Sequence, residues 1–102
     1  MKIFEISKKF PQEEKYSLTD QVRQSSRSVC ICLLEAYRKK IYPDHFIAKL
    51  TDSDMENSET SGWLDFAVAC NYISNEQFVS LLAQNEEVGK LLNHMINNPY
   101  KY

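Results

Sequence analysis

The chain has 102 residues, 43% of them apolar and 25% charged, with a formal net charge of −2. That is the length of one domain, so residues 1–102 are read as a single unit, and these fractions exclude a disordered chain. The near-balanced charge argues against a general polyanion binder, which carries a strong basic excess.

Two glycines and three prolines interrupt the whole sequence, which favours a few long helices over many strands and turns. No run approaches the roughly 18 apolar residues needed to span a bilayer, and MKIFEISKKF lacks the apolar stretch of a signal peptide. Cys30, Cys32 and Cys70 are an odd count without C-x-x-C spacing, inside apolar runs. They read as small buried hydrophobes in a reducing compartment, so a cytoplasmic location is expected. The charge is unevenly placed. Residues 1–49 hold ten Lys/Arg against six acids, and residues 50–102 hold two Lys against eight acids. Opposite signs on the two halves suit head-to-tail self-association or a polyanion at the basic end.

The first predicted helix, about Lys2 to Lys9, places Ile3, Phe4, Ile6 and Phe10 near one side and stops at Pro11. At barely two turns it needs tertiary support. After the linker PQEEKYS, a second helix is expected to open at Ser17 with a capping-box-like Asp20. Leu18, Val22, Val29, Cys30, Leu33 and Tyr37 follow helical spacing. The basic run Arg38, Lys39, Lys40 ends the helix where its dipole favours cations.

A third helix starts at Pro43, a good first-turn residue, and is expected to reach Asn71. Its middle, TDSDMENSETSG, is polar enough to pass for a loop. The flanking apolar positions nevertheless stay in helical phase, and no proline intervenes, so one continuous helix is predicted. Ser74 and Gln77 form a capping box for a fourth helix, whose stripe Phe78, Leu81, Leu82, Val88, Leu92, Met95, Ile96 ends at Pro99. Short connections between long helices give an all-α, up-and-down antiparallel four-helix bundle with a shortened first helix.

The runs KKFPQEEKYSLTDQVRQSSRSVC, EAYRKK, HFIAKLTDSDMENSET and WLDFAVACNYIS resemble the proteins encoded in 23S rRNA intervening sequences. Relatives of these include the accessory variability proteins of diversity-generating retroelements. The resemblance covers nearly the whole chain. It implies a left-handed four-helix bundle that assembles into a ring, typically a homopentamer. In the retroelement relatives such a ring binds nucleic acid and a reverse transcriptase; for the rRNA-insert members the resemblance implies no activity. Two departures matter. The first helix is shorter than the family's, so a truncated bundle or one completed by a neighbour is expected. Ile31, Cys32, Leu33 and Leu34 stand where relatives carry Asn and small residues, and these bulkier groups would face a subunit partner or push helices apart.

Several residue groups are candidates for function. Arg38, Lys39 and Lys40 lie beside Tyr37 and Tyr42, with His45 and Lys49 close behind. Cations on phosphates and tyrosines stacked on bases would make an RNA or DNA site, whereas a solvated helix end is the plainer reading. Arg23 and Arg27, with Lys15 upstream, would extend the basic stripe or pair with acids of the third helix in a neighbouring subunit. Arg38 and His45 also fit the short R-x(4–6)-H pattern of HEPN ribonucleases, with His as acid or base and Arg on the phosphate. Lys39 stands where that pattern commonly has a polar residue, and the pattern recurs by chance. No Glu-x-x-His pair accompanies Glu35, Glu56 and Glu59, so no bundle-type metal site is expected. Glu35 and Glu59, which match family positions, are expected to hydrogen-bond across helices or at an interface, with Tyr37 near the interface. Ser25, Ser26, Ser58 and Ser61 are read as small residues at helix contacts, and Trp63 as a core or interface anchor. The expected protein is a non-catalytic, cofactor-free, self-assembling bundle. A nucleic-acid-binding accessory of a reverse transcriptase is the alternative, and a HEPN-like ribonuclease the second.

Overall fold

The computed structural model describes residues 2–101, and all side chains within them except those of residues 15 and 16. Among the described residues there is no strand. Four α-helices follow in order: α1 (Lys2–Ser7), α2 (Asp20–Arg38), α3 (Pro43–Ala69) and α4 (Asn75–Asn97). A 3-10 turn (Gln12–Glu14) and a π turn (Lys15–Thr19) lead into α2, and a 3-10 turn (Pro99–Lys101) follows α4. The helix lengths are unequal. At 1.5 Å per residue α1 is about 9 Å long, against about 28, 40 and 34 Å for the other three. Long α3 is the spine, and α2 and α4 both pack along it.

The helix boundaries follow from local chemistry. Thr19 is already in the right-handed helical region (φ −60°, ψ −49°) and makes no side-chain cap. The backbone therefore enters α2 from the π turn without exposing a fresh terminus, and the capping box expected at Ser17 is absent. Ser17 Oγ instead donates to Glu14 Oε1 at 2.7 Å. Pro43 opens α3 after an extended Tyr42, as its fixed φ favours. The end of α3 is a Schellman turn. Asn71 is left-handed (φ 62°), and Tyr72 N and Asn71 N donate to Ala67 O and Val68 O, satisfying carbonyls the helix leaves open. At the start of α4, Ser74 Oγ accepts from Gln77 N at 3.0 Å while Gln77 Oε1 accepts from Ser74 N at 2.9 Å. This is the reciprocal capping box that the sequence announces.

The polar middle of α3 is helical because its inward residues find partners. Apolar packing forms two separate clusters. One gathers Phe10, Leu18, Val22, Leu64, Ala67, Ile73 and Leu81, with Ile3, Ile6, Trp63 and Phe78 against it. The other gathers Ala36, Phe46, Leu50, Leu92 and Met95. Between them runs a buried polar band: Ser25, Ser53, Asn57 and Thr60. Ser53 Oγ donates to Val29 O at 2.7 Å, Thr60 Oγ1 to Ser25 Oγ at 2.8 Å, and Asn57 Nδ2 to Asn85 O at 2.8 Å. Each bond ties α3 to a flanking helix. The helix thus keeps its period through a segment that looks hydrophilic in one dimension.

Candidate interaction surface

The first helix is clamped at one end of the molecule. Arg23, on α2, donates from Nε to Ser7 Oγ at 2.7 Å and lays its guanidinium 4.4 Å from the centre of the Phe4 ring. Arg27, one turn on, lies 5.9 Å from the same ring. Ser7 is fully buried under this contact. Both arginines, read from sequence as phosphate or subunit ligands, therefore also hold α1 against α2; the side chain of Lys15 lies outside the described residues.

Where α1 ends, the groove between α2 and α4 stays open. A cleft of about 270 Å³ begins beside Ile3 and is walled by Val29 and Cys30 of α2 and Leu81 and Val88 of α4, with Asn57 in its floor. Further along, Leu34 and Leu91 are more than half exposed, as is Ile31 on the rim, and Tyr37 is 48% exposed. The spacing explains the exposure. Positions 30, 34 and 37 share one face of α2, and 84, 88 and 91 share one face of α4. Helix α1 is too short to cover more than the upper end of either. This geometry corrects the reading of the cysteines as buried: Cys30 and Cys70 are exposed and Cys32 is half-buried. Burial, reinforced by the nearby carboxylates of Glu35 and Asp52, pushes the Cys32 thiol above its ordinary pKa.

The basic cluster caps the same end of α2. Arg38, Lys39 and Lys40 are exposed and make no ion pair among the described residues. Lys40 Nζ lies 5.7 Å from the centre of the Tyr37 ring. Tyr42 and His45 meet edge-on at 5.9 Å at the α2–α3 corner, and His45 is exposed there like Arg38. Lys49 is engaged. Its ammonium sits 2.6 Å from Glu35 and 4.0 Å from Asp52, and the hydrogen bond to Glu35 raises its pKa. Glu35 thus makes its cross-helix contact to Lys49.

The outer face of α3 carries the acids. Glu59 is exposed. Partial burial, then the neighbouring Glu59 and Asp52 carboxylates, lift the Glu56 pKa above its ordinary value. Trp63 is half-buried against the first apolar cluster, and its Nε1 is buried without a hydrogen-bond partner. Beside it Gly62 leaves a shallow depression bordered by Glu59 and Phe66, where an added Cβ would touch nothing within 4 Å. Of the serines, Ser25 is buried and Ser61 accepts from Asn85. Ser58 is exposed. Sequence reasoning missed Asn57 and Asn85; the helical phase of Asn57 with Leu50 and Leu64 was the available signal. No group of three or more His, Cys, Asp or Glu is arranged to hold a metal among the described residues, and no described helix is long and apolar enough to cross a membrane.

An all-α four-helix bundle with a shortened first helix and an open apolar groove is the class of protein these features define. The family model of the 23S rRNA-intervening sequence protein matches residues 1–94, and the chain belongs to that family. Its structure is similar to the crystal structure of a protein of unknown function from the S23 ribosomal protein family of Bacteroides thetaiotaomicron. The TM-score is 0.84 at 29% identity, over 93% of this chain and 88% of that one. No curated protein matches the chain.

Proposed function

We propose that this protein is a non-catalytic, self-assembling helical bundle, a structural or adaptor subunit that acts through its surface. The observation that carries the reading is the cleft that Cys30 of α2 and Val88 of α4 line together, with Leu34, Tyr37 and Leu91 exposed at the following turns of the same two helices. Apolar surface left in water forfeits about 25 cal/mol per Å² relative to burial, and contiguous patches of it mark interaction sites. A ring, with five copies as the family resemblance implies, is the expected assembly. Light scattering at micromolar concentration tests it. The wild type should run as a defined multimer, and Leu34→Glu combined with Leu91→Glu should run as a folded monomer. A monomeric wild type would sink the reading.

A second reading, a nucleic-acid-binding accessory acting with a reverse transcriptase, is supported by one feature. Arg38, Lys39 and Lys40 make no ion pair among the described residues and stand beside exposed Tyr37 and Tyr42. Gel shifts with structured RNA and duplex DNA should then weaken steeply with salt, and Arg38→Ala, Lys39→Ala, Lys40→Ala together should abolish them. No shift at low salt removes the idea.

A further inference from the structure

Helix α3 has two seams. Its buried residues Phe46, Leu50, Ser53, Asn57, Thr60, Leu64 and Ala67 step by four and three along the inner side. On the opposite side Ala48, Asp52, Met55, Glu59, Gly62 and Phe66 repeat the same steps, and all six are exposed. Met55 is 65% and Phe66 49% exposed. Alternating steps of four and three are the spacing of knobs along a helix–helix seam, and the small Ala48 and Gly62 permit close approach. Exposed positions on the flanking helices carry that spacing too: Cys30, Leu34 and Tyr37 on α2, and Gln84, Val88 and Leu91 on α4.

The charges are complementary. The outer seam of α3 is edged by Asp52, Glu56 and Glu59, and the last two have no cation partner among the described residues. The α2 rim of the groove bears Arg27 and Arg38, exposed and without an acid partner among the described residues. Resting on the self-assembly reading, we propose that the outer seam of α3 in one copy docks in the α2–α4 groove of the next copy. It completes the half of the bundle that α1 leaves open, with Asp52, Glu56 and Glu59 against Arg27 and Arg38. The two surfaces are unlike, so the contact is head-to-tail and propagates into a closed ring or a filament.

Mixing of charge variants of the full chain tests this by sedimentation. Arg27→Glu/Arg38→Glu alone and Asp52→Lys/Glu59→Lys alone should each weaken assembly at least about tenfold, the loss of roughly 1.4 kcal/mol. Mixed one to one, the two variants should reassemble, because each groove then meets an α3 of opposite sign. A second measurement does not depend on charge. In a Cys32→Ser/Cys70→Ser background, Met55→Cys places a thiol on the seam opposite Cys30 in the groove, and diamide should link copies into a ladder longer than dimers. A wild type that assembles while both charge variants assemble equally well, or a ladder that stops at dimers, overturns this docking and leaves self-assembly standing. A wild type that stays monomeric overturns both.

Discussion

Thr60 shows how one polar side chain settles a helix. Its hydroxyl lies 2.8 Å from Ser25 Oγ and 2.9 Å from Glu56 O, and its single proton serves one acceptor at a time. Thr60→Val keeps the shape and deletes the hydroxyl, leaving Ser25 buried with only Val22 O to bond. The expected loss is about 1 kcal/mol, read as a lower urea midpoint at unchanged slope. Glu56 gives a pH signature of definite sign. A carboxyl whose folded pKa is raised binds more protons folded than unfolded, so stability falls as pH rises through its titration. Unfolding free energy should therefore rise as pH drops from neutral toward the usual carboxyl value of 4.5. Glu59→Gln should flatten that slope by about a few tenths of a kcal/mol, since solvent screens so exposed a pair. Lys49 behaves conventionally: its raised pKa adds stability that is lost only as pH rises through the lysine range, above 10.5.

At the scale of the element, α1 has too few residues to be helical alone, since isolated helices below about 12–15 residues are marginal. Its helicity comes from Arg23 and Arg27 over Phe4, from the Arg23–Ser7 bond, and from Ile3 and Ile6 against the first cluster. Arg23→Ala removes a hydrogen bond and a cation–π contact together, about 1–2 kcal/mol. The expected outcome is local. Trypsin should cut faster after Lys8 and Lys9 while the protection of α3 in hydrogen exchange stays unchanged. Helix α3 is the converse case, long and held by buried residues along its whole inner side. Its continuity across TDSDMENSETSG was legible because Leu50 and Leu64 keep phase with Ser53, Asn57 and Thr60 between them. The start of α2 was misread because Ser17 and Asp20 imitate a cap, while the chain is already turning helically through a π turn before them.

At the scale of the whole molecule, the thin end of the bundle has to be accounted for. The principal extents are 44 × 24 × 17 Å, and below α1 only three helices surround the second cluster. If copies complete one another, unfolding is linked to dissociation, and the melting temperature should climb with protein concentration. Calorimetry over a hundredfold concentration range checks this; a constant melting temperature would speak for a self-sufficient monomer. The basic corner of Arg38, Lys39 and Lys40 borders the same open end, so added polyanion should compete with assembly if both use the α2 rim.

The order of four helices, the start of α3 at Pro43, the capping box of α4 and the family were all in the sequence, because periodicity, caps and spacing are local. The tertiary structure decided which apolar residues stay in water. Cys30, Tyr37 and Val88 keep helical phase with core residues in one dimension, yet all three are exposed. Only the position of the last turn of a neighbouring helix determines that nothing covers them. The same holds for Arg23, whose partner Ser7 is sixteen residues away, and for Asn57, whose acceptor belongs to α4. Burial and pairing are properties of the space between elements. The open groove that defines this protein's candidate surface is such a property, made by helices of unequal length laid side by side.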